Sequence, residues 1–341
     1  MKIVTFPASF SRTLIRTARM SIFQYELIEM VFTRGKSKML EVYAYNAGKG
    51  DCIRLRFAGT HNIFIDTGVN RFAPTFRCLC NQIKQSGETL DALVLTHVDD
   101  DHIGGMLSCL RSRDYLCPFS EVWMNHSGNA SVGDRTLSVQ QNDEVYARLM
   151  KQGISVKPMH KGERRIVAGA VMDTYWPDAS EPETHDHQYR EAQLARHGDY
   201  HFSLTNLAEM PLPAHDSSQN NKKSIVFSFT YENHRLLFTG DAWAEDVAKA
   251  KGAYDLVKLP HHGSARNLSE DYQSNIKSNN FLICTDGINH PDKQTIAKLE
   301  KWYGEINIYS PSAWWRNQYF IGNDRQHKIN YLHREGVVVA W

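Results

Sequence analysis

The sequence has almost no net charge: 39 Lys and Arg against 38 Asp and Glu leave +1 over 341 residues. A uniformly basic body, and with it a purely electrostatic grip on nucleic acid or an anionic membrane, is thereby excluded. The chain also lacks any run near the roughly 18 apolar residues of a membrane span, and its start has no compact apolar segment with a small-residue cleavage site. A soluble, cytoplasmic protein with no membrane partner is the expectation. Cysteines are few, and Cys52, Cys78, Cys80, Cys109, Cys117 and Cys284 show no CxxC spacing. Free thiols are expected of such an intracellular chain. Internal repeats and low-complexity linkers are lacking too.

What charge there is lies unevenly. Residues 1–38 carry seven basic residues (Lys2, Arg12, Arg16, Arg19, Arg34, Lys36, Lys38) against Glu26 and Glu29, so the remainder is net acidic by about four charges. This extension reads as an amphipathic helix, an organelle-targeting peptide or upstream sequence from an early start codon, appended to one domain over 39–341. Within that domain "MLEVYAYNAG", "CIRLRFAG" and "HNIFIDTG" read as a β-meander, followed by a helix with Phe72, Phe76, Leu79 and Ile83 on one face. Strands and helices then alternate, which argues an α/β fold. Residues 179–221 form a polar insertion rich in histidine (His185, His187, His197, His201, His215).

The densest chemistry is "LTHVDDDHIGG" at 95–105. His97 and Asp99 alternate along an extended strand end and so point one way, while Asp101 and His102 follow in a turn and face a second point. Such an array suits two divalent ions roughly 3.5–4 Å apart. Two further strands stop at ligand-type residues: "LLFTGDA" at Asp241 and "VKLPHHGS" at His261 and His262. Three strands delivering carboxylates and imidazoles to one sheet end are hard to attribute to solvated turns.

With "NAGKGDC", "FIDTG", "NNKKSIVFSF" and "NHPD" in order around these motifs, most of residues 39–341 resembles the metallo-β-lactamase superfamily, and within it the hydrolase domain of the ComEC-type DNA-uptake proteins. The resemblance implies an αββα four-layer sandwich of two mixed β-sheets with a metal site at one edge. It implies His97 and Asp99 as ligands of a first metal, Asp101 and His102 of a second, and Asp241 bridging both. His262, or failing it His261, completes the second site. Asp99 stands where the wider superfamily has histidine, which hardens the first site and makes Mn²⁺ a rival to Zn²⁺. One further histidine ligand is not evident. His126 and the insertion histidines are candidates, and Trp176 occupies the place where one is first sought.

Two divalent ions sharing a hydroxide give a nucleophile at neutral pH and a clamp for anions, so phosphodiesters are the natural substrates. Asp101, His261 and His290 are the expected catalytic residues, His290 because an imidazole with a pKa near 6.5 takes up and releases protons. Asp51 and Asp66 either orient the ligating histidines from behind or simply form turns. Asn220 and Asn221 either bond a phosphate oxygen or shape a turn, and Lys49 adds a positive charge at the mouth. Trp314, Trp315, Tyr319 and Phe320, interleaved with Arg316, Arg325 and Lys328, either stack unpaired bases or form a packed hairpin. The leading expectation is a phosphodiesterase or nuclease, in DNA processing or anti-phage defence, with nucleic acid or another phosphodiester as partner. A hydrolase of small esters or phosphoesters and a non-catalytic metal-binding scaffold are the alternatives.

Overall fold

The alternating run from Leu40 does form a meander. In the computed structural model, which describes residues 40–126, 137–180 and 197–341, Leu40–Ala44 (β1), Ile53–Phe57 (β2) and His61–Ile65 (β3) pair antiparallel in sequence. Thr89–Val94 (β4), Glu121–Trp123 (β5) and Ser155–Lys157 (β6) then add in parallel. The chain divides into two units, residues 1–37 and Lys38–Trp341. The extension expected over 1–38, and His185 and His187 of the insertion, lie outside the described residues.

A second sheet is built from Arg164–Val167 (β7), Ala170–Trp176 (β8), Val226–Tyr231 (β9), His234–Phe238 (β10), Leu256–Lys258 (β11), Asn280–Leu282 (β12), Ile306–Ser310 (β13) and Ile329–His333 (β14). Its order is β14-β13-β12-β11-β10-β9-β8-β7. The terminal strand Gly336–Ala340 (β15) returns to the first sheet and pairs antiparallel with β1. Both sheets are mixed.

Side-chain alternation along the strands generates the layers. Ile63 and Ile65 point between the sheets with Val42, Leu55, Phe227, Phe229, Leu236 and Phe238, forming the central core. Phe64 points the other way, into a core shared with the helices Ala73–Gln85 (α1), Asp100–Arg111 (α2) and Leu137–Lys151 (α3). On the far side Leu237, Val257 and Phe281 pack under the helices Leu204–Glu209 (α4) and Lys293–Tyr303 (α6), while the short helix Gln219–Lys222 (α5) precedes β9. Helix, sheet, sheet and helix are thus the four layers the sequence led us to expect. Among the described residues no helix is long and apolar enough to cross a membrane.

Candidate metal centre

β4 ends at Val94, three residues before His97, and α2 begins at Asp100. Asp101 and His102 therefore sit on the first helical turn and not in a turn, as the sequence suggested. Carboxylates there face the helix's unpaired N–H groups, where negative charge is favoured. The loop bearing Asp51 presses against this turn: a Cβ on Gly50 would come within 1.8 Å of the Asp101 carbonyl oxygen, so only glycine fits. β10 leads to Asp241 through Gly240, and β11 leads to His261 and His262. Those two histidines hold φ of 45° and 52°. Two successive non-glycine residues in the left-handed region are strained, and the fold holds them there to aim both rings.

Their convergence is close. His102 Nε2 lies 3.3 Å from Asp241 Oδ1, and His262 Nε2 lies 3.5 Å from Asp241 Oδ2 and 3.6 Å from Asp101 Oδ2. His97 Nε2 is 3.9 Å from the same Asp241 Oδ2 and 3.8 Å from Asp99 Oδ2, and His261 Nε2 is also 3.9 Å from Asp241 Oδ2. Asp241 is thus the carboxylate at which two groups of candidate ligands meet, His102 and His262 with Asp101, and His97 and His261 with Asp99. His261 is a candidate for the ligand place for which the sequence offered no evident residue, by its 3.9 Å approach to Asp241. His126 does not: its Nε2 meets Asp143 at 2.7 Å and its ring stacks on Tyr146. Nor does Trp176, whose indole N–H donates to the Lys222 carbonyl and so braces α5.

The backs of the imidazoles fix which nitrogen faces forward. His102 Nδ1 donates to Asp66 Oδ2 at 2.8 Å, and His262 Nδ1 donates to the Cys284 carbonyl at 2.8 Å. Thr96 Oγ1 donates to Asp66 and lies 3.3 Å from His97 Nδ1, so that nitrogen is the donor as well. All three Nε2 atoms are buried and, with Asp241 Oδ1, lack hydrogen-bond partners. Buried polar atoms left unpaired are costly, and a cluster of bare imidazole and carboxylate donors fits a divalent ion.

Charge agrees with that reading. Against the effect of burial, Asp241 and Asp66 push the His102 pKa well above its ordinary value, and Asp241 with Asp51 raises that of His262 to about 10. Without an ion, protons take its place as counter-charge. His97 is pushed down to about 4 by burial and by the neighbouring His102, and burial with Asp101 raises Asp99.

Asp51 belongs to the buried Asp51, His102, Asp241 and His262 cluster by distance, but it lies on the Nδ1 side of both rings, 3.8 Å from His102 and 3.3 Å from His262. Its Oδ1 lacks a hydrogen-bond partner, and its other oxygen is held by Lys258 at 2.5 Å. Lys258 is fully buried, and Asp51 and Asp241 raise its pKa in spite of that burial. No motif drew attention to it. A lysine inside the apolar run "LVKLP" was the available signal. Asp216, which accepts from Asn221 at 2.8 Å and Asn267 at 3.0 Å and lies 3.4 Å from His261, also went unnoticed and has no sequence signature.

Several expected roles change. Asn220 donates its amide to Asp99 at 3.0 Å and Asn221 to Asp216, so both hold carboxylates instead of offering donors to a phosphate. His290 sits beside His261, ring centroids 5.0 Å apart; burial and the histidines His261 and His262 push its pKa well below the ordinary value. Trp314 and Trp315 are only 5% and 8% exposed and pack edge-to-face within the outer core, so they are a packed element and not a base-stacking platform. Arg316 is exposed, and half-exposed Lys49 lies 3.4 Å from Asp101.

A cavity of about 220 Å³ opens beside the centre, its lining including His97, Thr96 and Asn220 as well as Leu95, Met124 and Val139.

Residues 45–115 match the Metallo-beta-lactamase superfamily model. Two mixed sheets faced by helices, with a buried Asp/His cluster where strands of both sheets end, make this a domain of metallo-β-lactamase fold with a candidate metal site. Among solved structures the chain is similar to the diiron β-hydroxylase CmlA of Streptomyces venezuelae (15% identity, TM-score 0.42, 89% of this chain against 55% of that one). It is also similar to the metallo-beta-lactamase fold protein YhfI of Bacillus subtilis (11%, 0.40, 89% against 99%) and to a diphosphatase of the PhnP family (12%, 0.41, 89% against 96%). The chain spans about half the length of the β-hydroxylase. No curated protein matches it.

Proposed function

We propose that the protein is a metal-dependent phosphodiester hydrolase whose substrate is small or is engaged at a chain end. The observation that carries this is the meeting of three bare, buried imidazole Nε2 atoms around the shared carboxylate of Asp241. Divalent ions, Zn²⁺ or Mn²⁺, supply Lewis acidity, a water of lowered pKa and counter-charge to an anionic substrate. The chain's own part is to aim the rings through Asp66, Thr96 and the Cys284 carbonyl, and to fix Asp99 through Asn220. The carboxylate-rich donor set suits hard or borderline ions and, through them, phosphoryl oxygens. The resemblance of the ordered motifs to the ComEC-type hydrolase domain favours phosphodiesters in the same way.

The neighbouring cavity supports a small substrate. At about 220 Å³ it is smaller than the roughly 300–1,000 Å³ of a pocket for a drug-sized molecule. A lining that mixes Leu95, Met124 and Val139 with polar residues suits one small substituent of a phosphodiester, such as a single nucleoside residue. With Trp314 and Trp315 buried, binding along a strand lacks the stacking surface that the sequence suggested.

The test is hydrolysis by the full chain loaded with Zn²⁺ or Mn²⁺. Bis(p-nitrophenyl) phosphate and cyclic dinucleotides should be cleaved faster than p-nitrophenyl phosphate, and Asp241→Ala should abolish all of it. Release of single nucleotides from DNA or RNA ends fits the proposal and places its role in nucleic-acid processing. Cleavage of a carboxylic ester with every phosphodiester untouched overturns it in favour of an esterase.

A further inference from the structure

The strand that delivers His261 and His262 also buries a cation behind them. Lys258 lies between Val257 and Leu259, each 0% exposed, and is itself 1% exposed. Its Nζ donates to the Gly240 carbonyl at 2.9 Å, meets Asp51 Oδ2 at 2.5 Å and stands 3.6 Å from Asp241 Oδ1. Removing an ammonium from water is costly unless it is well paired.

A brace for Asp51 needs only the first two contacts. The third sets Lys258 apart, because Asp241 is the carboxylate that both ligand groups share. A positive charge this close to that oxygen repels any divalent ion seated on it, and in a water-poor site the repulsion is weakly screened. At the same time Lys258 holds Asp51 on the Nδ1 side of His102 and His262.

We propose that Lys258 is a resident cation of the metal centre, a positioning residue that lowers the centre's affinity for divalent ions while holding Asp51 behind the imidazoles. A site rich in carboxylates and imidazoles otherwise binds such ions very tightly, and an internal ammonium limits that and leaves the bound ion a stronger Lewis acid. This inference rests on the reading of the Asp241 cluster as a metal site.

Isothermal titration of the chelator-stripped full chain with Mn²⁺ and with Zn²⁺ tests it, together with circular dichroism of each ion-free protein. Lys258→Met should bind either ion at least about tenfold more tightly than the parent, whereas its ion-free form melts earlier because Asp51 loses its partner. Lys258→Arg, which keeps the charge, should stay close to the parent. If Lys258→Met does not fold, the same comparison is made in the background Asp51→Asn, where no carboxylate is left stranded: the double variant should bind about tenfold more tightly than Asp51→Asn alone. Equal or weaker binding on loss of the lysine in a folded protein overturns the proposal and leaves Lys258 a structural brace. Failure of the parent to bind either ion overturns the metal reading itself and the inference with it.

Discussion

The carboxylate of Asp66 accepts the Nδ1–H of His102 at 2.8 Å, and neither side chain has any exposed surface. Asp66 also accepts from the Thr96 backbone N–H at 2.8 Å and from the Thr96 hydroxyl at 2.7 Å. One buried carboxylate therefore sets the tautomer of a ligand and anchors the loop that carries His97. Replacing Asp66 by Asn keeps the shape but turns an acceptor oxygen into a donor. Metal affinity, measured by competition with a chromophoric chelator, should fall about 10- to 100-fold.

Asp241 and His261 differ in what they share. Asp241→Ala touches both ligand groups and should abolish hydrolysis together with most metal binding, with far-ultraviolet circular dichroism unchanged because the residue follows β10 and is not part of its core. His261→Ala should spare the group formed by His102, His262 and Asp101 and so lower metal stoichiometry only in part. Equal loss of metal in both variants contradicts the two-group assignment.

Ion binding should be visible in stability. Asp51, Asp66, Asp99, Asp101 and Asp241 crowd one region, and the buried Lys258 ammonium faces only Asp51 and Asp241. A divalent ion at about 100 times its dissociation constant stabilises the folded state by about 2.7 kcal/mol. Thermal unfolding with and without chelator should show that rise, and Asp241→Ala should not.

Trp314 and Arg316 separate core from surface within one short stretch. Trp314 packs against Trp315, Tyr319 and Tyr331, so Trp314→Ala should cost about 3–5 kcal/mol in denaturant unfolding. The exposed Arg316 should be replaceable by Ala within about 0.5 kcal/mol.

The pair Lys293 and Asp324 gives stability a pH dependence away from the centre. Burial raises the Asp324 pKa, but the Lys293 ammonium at 2.6 Å and the backbone N–H groups of Ile321 and Leu204 outweigh it, and the net shift is downward. A carboxyl lowered by folding contributes stability above its unfolded pKa, and that contribution is lost as pH falls through the folded value. Asp324→Asn should flatten this acid-side loss below the ordinary carboxylate range. At neutral pH it should cost about 3–5 kcal/mol, because it strands the buried Lys293 ammonium.

The meander, the α1 face with Phe76 and Ile83, the hairpin turning at Glu232 and the ordered motifs were all legible from local alternation and turn chemistry. Pairing of β15 with β1 was not, since it joins residues about 300 positions apart and no local pattern records it. In the site, ligand-type residues stood out because carboxylates and imidazoles cluster after apolar runs. What they bond to did not. Asn220 and Asn221 read equally well as donors to substrate until their carboxylate partners Asp99 and Asp216 were placed beside them. Trp314 read as a platform for the same reason: aromatic residues beside cations look alike in a core and on a surface.

His97 and His102 follow a strand of the first sheet, and Asp241, His261 and His262 follow strands of the second. The centre therefore lies on the seam where the two sheets meet, and an ion held by both sets of residues would act as a rivet through it. With such an ion bound, the sheets could not slide past one another under mechanical load, or in transient opening of the sandwich, without breaking ligand bonds. The same few residues thus tie the chemistry of the molecule to its resistance to shear.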